Sequence, residues 1–310
     1  MRAVFLGTPE FAVPSLNALA AHHQVVAVYT QPDRPKGRGN QPAEPPVKVA
    51  AHALGLTVWQ PERIRRAENL EPLKAHAAEI MVVVGYGQII PQTIIDLPRY
   101  GILNVHASLL PKYRGAAPIQ WAIANGESET GVTIMQIDAG LDTGDMLLKA
   151  ELAIGRAETA PELSARLAPL GADLLLEAIR QIEAETVHRE KQNNQEATLA
   201  PILKKEDGSV DWQRSAEDIY NRWRGFNPWP GAYTVFRTQQ MSVTNARPDH
   251  RQSKIPACLY AEQRHLFAGC GGGTTLELLE LQLAGKRRMS AEAFLNGYQL
   301  AQNEMLGEKI

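Results

Sequence analysis

The residues Ile80-Met-Val-Val-Val84 form a continuous apolar run, mostly β-branched, between Glu79 and Gly85. A strand with apolar side chains on both faces must be covered on both faces, which is the situation of a central parallel strand. Arg2–Leu6, Val25–Tyr29, Ile102–His106 and Val132–Ile137 are further strand candidates. Between them, Glu10–Ala21, Pro45–Leu54 and Ala116–Ala124 carry apolar residues at helical spacing. This alternation predicts an α/β domain built on a doubly wound, mostly parallel sheet. In such sheets the ligand crevice lies outside the carboxyl ends of the strands. Gly7-Thr-Pro9, Gly85-Tyr-Gly87, the residues after His106 and the Asp142 turn all fall at those ends.

The second half reads differently. Pro161–Glu183 has the pattern of one long helix, and Glu185–Glu196 is polar with few large apolar groups. Beyond Leu203 come short apolar runs, Ala232–Phe236, Ala257–Tyr260 and Leu276–Leu279, separated by turns such as Gly271-Gly-Gly273. That pattern predicts a smaller antiparallel β-barrel. Met241–Lys254 shows no clean alternation, so its strands are hard to place. The expected division is an α/β domain over 1–188, a linker over 189–205 and a barrel over 206–310.

Composition narrows the partners. Among 310 residues, 32 are basic and 34 acidic, a net charge of -2 that argues against a general nucleic-acid binder. Residues 1–203 hold 18 basic and 22 acidic side chains, whereas residues 204–310 hold 14 and 12, a small asymmetry that permits a locally basic surface in the second part without establishing one. The two cysteines, Cys258 and Cys270, lack partners at metal-ligand spacing, so no structural zinc is expected. Scarce cysteine suits a reducing cytoplasm. The opening residues are too short an apolar run for a signal peptide, and no uninterrupted apolar stretch approaches 18 residues, so no membrane span is expected.

One constellation carries chemistry. Asn104 and His106 are two apart on a strand, so both side chains leave the same face. Asp142 sits in the Gly-punctuated stretch Asp138–Asp145, where a turn can swing its carboxylate toward that face. An amide donor, a base and an orienting carboxylate are the parts required for acyl transfer. Other motifs are weaker. Gly85-Tyr-Gly87 lacks the third glycine of a dinucleotide fingerprint and reads as a turn after a buried strand. Asp138, Asp142 and Asp145 do not match a calcium loop. The loop Gln31–Asn40 holds three cations in five residues and is open to two readings, a solvated charged loop or a basic arm that grips phosphate. Trp121, Trp223, Phe226 and Trp229 are expected in cores, with Asn227–Gly231 a rigid turn.

Taken together, Phe5–Phe11, Gln31-Pro-Asp-Arg-Pro-Lys-Gly-Arg-Gly39, Asn104-Val-His-Ala-Ser-Leu-Leu-Pro111 through Gln120, Gly131–Asp145, Asp211-Trp212 and Gly225-Phe-Asn-Pro-Trp-Pro230 resemble the methionyl-tRNA formyltransferase family over nearly the whole chain. The Asn-x-His and Ser-Leu-Leu-Pro block is shared with other 10-formyltetrahydrofolate-dependent formyltransferases; the Gln31 loop and the Phe226–Pro230 turn are more specific. The resemblance implies a Rossmann-like catalytic domain and an OB-like tRNA-binding barrel. It implies that Asn104, His106 and Asp142 are catalytic, that Ser108, Leu109, Leu110 and Pro111 lie at the folate site, and that Arg38, Lys204 and Lys205 contact tRNA. Lys286 and Arg287 are the expected phosphate contacts on the barrel. The implied substrates are 10-formyltetrahydrofolate and initiator methionyl-tRNA, used by a cytoplasmic monomer without a metal. A formyltransferase for a small amine, a non-catalytic tRNA-binding protein and an NAD-dependent oxidoreductase are the rival readings. The incomplete glycine fingerprint disfavours the last.

Overall fold

The structure, a computed structural model, describes residues 1–36, 41–253 and 255–307. It divides into two compact units. The first comprises residues 1–119, 129–154 and 162–202, and the second 120–128, 155–161 and 203–310. Residues 189–202, expected to be a linker, are therefore part of the first unit.

The first unit is built on strands β1 (Arg2–Gly7), β2 (Gln24–Tyr29), β5 (Val58–Trp59), β6 (Ile80–Val84), β7 (Ile102–His106), β8 (Glu129–Gln136) and β9 (Met146–Ala153), with a small hairpin of β3 (Arg34–Lys36) and β4 (Gln41–Ala43) after β2. The seven-stranded order is β5-β2-β1-β6-β7-β8-β9. Pairing is parallel from β5 to β7 and antiparallel from β7 to β9. Helices α1 (Val13–His22), α2 (Pro46–Ala53), α3 (Leu70–Ala75), α4 (Gln92–Ile95) and α6 (Ala160–Glu183) intervene or follow, whereas α5 (Pro118–Ala124) falls mostly in the second unit. The apolar run at 80–84 is β6, at the centre of the sheet. Ala3, Val4, Phe5 and Leu6 of neighbouring β1 are all fully buried, so both faces are covered, as the unbroken runs require.

Glycine sets one close approach. A Cβ on Gly171 of α6 would lie 2.7 Å from Val105 Cγ1, so the missing side chain lets α6 settle against β7. Val105 faces α6, and the two-residue period therefore sends Asn104 and His106 to the opposite face.

The second unit is an antiparallel barrel entered through α7 (Ala216–Gly225). Its strands are β10 (Ala232–Phe236), β11 (Gln239–Asp249), β12 (Cys258–Glu262), β13 (His265–Gly269), β14 (Thr275–Leu283), β15 (Met289–Ser290) and β16 (Glu304–Met305), with α8 (Ala291–Gly297) before the last. The order β10-β11-β14-β13-β12-β16 closes through a bridge between Phe236 and Leu306. Its interior is filled by Phe236, Met241, Leu259, Leu266, Leu278, Phe294 and their neighbours. The stretch at 241–254 that lacks alternation holds most of β11. Register shifts between Val243 and Ala246 break the two-residue period there. Trp212 and Phe226 are buried, whereas Trp229 is 55% exposed, its indole projecting from the turn between Pro228 and Pro230 rather than filling a core. No described helix is long and apolar enough to cross a membrane.

Candidate active site

The carboxyl end of β7 and the turn between β8 and β9 bring Asn104, His106 and Asp142 together. Asn104 Nδ2 donates to Asp142 Oδ1 at 3.3 Å. Asp142 Oδ2 accepts the Gly115 backbone N–H at 2.8 Å and lies 3.8 Å from His106 Nδ1. The imidazole and carboxylate side chains are only 5% and 17% exposed, so their interaction is weakly screened.

The remaining ring nitrogen fixes the tautomer. His106 Nε2 is 2.9 Å from the Tyr113 carbonyl oxygen, which can only accept, so Nε2 carries a hydrogen. In the neutral ring Nδ1 then presents a lone pair on the Asp142 side. When Nδ1 takes a proton, the resulting cation faces the carboxylate. Tyr113 and Asp142 both adopt positive φ, at 61° and 50°, an uncommon region for residues other than glycine. These two uncommon backbone positions carry the carbonyl and the carboxylate that bracket the imidazole.

The loop after β7 is pinned from β8. Thr133 pairs with His106 across the sheet. Its buried hydroxyl donates to Ser108 O at 2.7 Å and accepts from Leu110 N at 3.1 Å. Ser108 Oγ is itself committed to Lys112 O at 2.7 Å, and Leu110 packs with Met135 and Met146. Of the four residues 108–111, only Leu109 and Pro111 retain accessible surface; Ser108 and Leu110 shape the loop from inside.

Sequence reasoning passed over the residues that hold this arrangement. Arg114 is buried, with Nε 2.9 Å from Gln192 Oε1 and an Nη 2.9 Å from Asn194 Oδ1. Residues 190–200 lie along the loop and the Asp142 turn. Glu190 bridges Met146, and Leu199 bridges Arg114. Thr198 Oγ1 accepts from Tyr113 N at 2.8 Å. The one usable signal was Gly115, whose φ of 121° suits glycine alone and whose Cβ would meet Ala200 O at 2.6 Å.

The neighbouring turns are knitted together as well. Thr8 Oγ1 and Gln31 Nε2 both donate to Tyr86 O, at 3.1 and 3.0 Å. Asp33, at the root of the basic loop, accepts from Lys48 Nζ and Gln60 Nε2, each at 2.7 Å, and these bonds hold its carboxyl below the usual range. Arg38 lies outside the described residues.

Lys204, Lys205, Lys286 and Arg287 are exposed, in two separate pairs. Lys204 and Lys205 open a single helical turn, and Lys286 and Arg287 follow β14. Ser209 bridges Tyr233, Tyr233 pairs with Ser242, and Ser242 with Gln282, so three strand spacings, about 14 Å, separate the chain just after the first pair from the strand leading to the second. Among the described residues no group of three His, Cys, Asp or Glu is placed to hold a metal ion.

Residues 1–179 match the formyl transferase family and residues 202–299 the formyl transferase C-terminal domain. A protein of Solibacter usitatus named methionyl-tRNA formyltransferase is 58% identical over 99% of this chain and 99% of its own length. The sugar 3N-formyl transferase WlaRD, solved in the presence of dTDP and 5-N-formyl-THF, superposes with a TM-score of 0.67 at 18% identity, covering 93% of this chain and 99% of its own. The N-formyltransferase of Helicobacter canadensis, in complex with folinic acid and dTDP-3-aminofucose, gives 0.66 at 19%, covering 89% and 98%.

Proposed function

The chain belongs to the formyl transferase family, and on that premise we propose that it transfers the formyl group of 10-formyltetrahydrofolate to the α-amine of methionine esterified to initiator tRNA. The chemistry rests on the arrangement of Asn104, His106 and Asp142 at the strand ends. The acceptor rests on the 58% identity over nearly the full length to a relative named for it, against 18–19% for the sugar enzymes.

The nucleophile must be a neutral amine. A free α-amino group titrates near 7.7–8.0, so little activation is needed before attack. The barrier lies in negative charge developing on the formyl oxygen and in releasing N10. Asn104 commits one amide hydrogen to Asp142 and offers its second to that oxygen, a donor worth about 3–4 kcal/mol in comparable acyl transfers. His106, with its Nε2 hydrogen held by Tyr113 O, takes the amine proton at Nδ1 and delivers it toward N10. Asp142 stabilises the cation formed in between. All three groups come from one chain, so a monomer suffices. Leu109 and Pro111 flank the donor, with Ser108 and Leu110 fixing the loop beneath it.

Methionine offers little to hold, so contacts to the tRNA body position its amine. Arg38, Lys204, Lys205, Lys286 and Arg287 supply phosphate contacts. The test is transfer of radiolabelled formyl from 10-formyltetrahydrofolate to charged initiator tRNA, free methionine and a nucleotide-linked amino sugar in parallel. Label on the charged tRNA alone is expected. Label on the amino sugar in preference would overturn the acceptor.

A further inference from the structure

The Asp142 turn has no regular secondary structure to hold it, and Asp142 sits at φ 50°. A carboxylate that must meet an imidazole 3.8 Å away needs an external support. The structure supplies one from residue 192, fifty positions further along. Gln192 Nε2 donates to Asp142 O and to Gly144 O, both at 2.8 Å. Its Oε1 accepts from Arg114 Nε at 2.9 Å. Both amide hydrogens are used, and the buried guanidinium fixes which end of the amide faces the turn.

We infer that Gln192 is a positioning residue for the transfer proposed above, acting through Asp142. The inference rests on that functional reading. Two features set Gln192 apart from its neighbours on the segment 190–200. Its side chain bridges the two backbone carbonyls that flank Thr143, so it clamps the turn from residue 142 to 144. It also joins that turn to Arg114, next to Gly115, whose N–H holds Asp142 Oδ2. The carboxylate is thus held from its own backbone and from its oxygen by one connected set of bonds. The Asn193 side chain, by contrast, bonds to Gln195 N and Glu196 Oε1, both within the segment.

Gln192→Met keeps the length and removes all three bonds. Gln192→Glu keeps the acceptor for Arg114 and loses both donors. Displacing a catalytic group by about 1 Å can cost about a hundredfold, so each variant is expected to lower kcat 10- to 100-fold, with KM for the formyl donor and for charged tRNA within threefold of wild type. Asn193→Ala is expected to leave kcat unchanged. The decisive comparison is Gln192→Met made in an Asp142→Asn background, where it is expected to cost less than threefold, because the group through which it acts is already impaired. Wild-type kcat in both Gln192 variants, or an undiminished loss in the Asp142→Asn background, would overturn the inference. If Asp142→Asn alone kept normal turnover, the reading of the site would fall instead. Should Gln192→Met not fold, Gln192→Glu carries the same comparison.

Discussion

Replacing Asp142 by Asn removes one charge at nearly constant shape. Both carboxylate oxygens accept from N–H donors, Asn104 Nδ2 and Gly115 N. An amide has one acceptor oxygen, so one of these donors would face an NH2 group. The larger effect falls on the protonated imidazole. At 3.8 Å and an effective dielectric of about 20, the attraction between carboxylate and imidazolium is about 4 kcal/mol, roughly a thousandfold in rate. Water entering the altered site recovers part of this, so kcat is expected to fall about 100- to 1000-fold while the KM for the folate donor changes little. The assay is single-turnover formylation of charged initiator tRNA. If Asp142 acts by stabilising the His106 cation, Asp142→Asn in a His106→Ala background costs less than about fivefold. Additive losses, or an Asp142→Asn enzyme within fivefold of wild type, would refute this role for the carboxylate.

Gly115→Ala places a Cβ against Ala200 O in a backbone conformation reserved for glycine; thermal unfolding is expected to show a loss of about 1–3 kcal/mol, accompanied by lower kcat, and an unchanged melting curve would contradict it. In the barrel, burial pushes the Glu277 carboxyl up, but hydrogen bonds and charge from His265 and Arg247 outweigh it and leave the group below the usual range. Its folded value is below its unfolded one, near 4.3, so its stabilisation is present above that pH and is lost as pH falls through the folded value. Melting temperatures followed from pH 7 to 3 should therefore converge for wild type and Glu277→Gln, and parallel curves would count against the assignment. Neutralising Lys204 and Lys205 together should flatten the log–log salt dependence of tRNA binding by about 0.7–0.9 per phosphate that the two lysines neutralise, whereas an unchanged slope would remove them from the interface.

The strand that carries Asn104 and His106 was legible because its physics is local. β6 and β7 begin and end where the apolar runs do, and the two-residue period alone puts Asn104 and His106 on one face. The β11 strand was not, because its register shifts and an internal Pro248 erase the alternation that would have marked it. Trp229 was misplaced because an indole is apolar by type, and only the fold shows whether a turn points it inward or out. The support around Asp142 was hidden for a further reason. Arg114, Gln192 and Asn194 are polar residues whose partners lie about 80 positions apart in sequence, and a polar, turn-rich stretch such as 189–202 has the composition of a linker whether or not it is pinned to a wall. Tertiary hydrogen bonds of this kind have no period to read.

The most direct test of the proposed chemistry is a crystal structure with a hydrolysis-resistant 10-formyl folate analogue bound. The formyl oxygen is expected within hydrogen-bond distance of Asn104 Nδ2, and the formyl group beside His106 Nδ1. An analogue bound with its formyl group away from Asn104, His106 and Asp142 would contradict the roles given to all three.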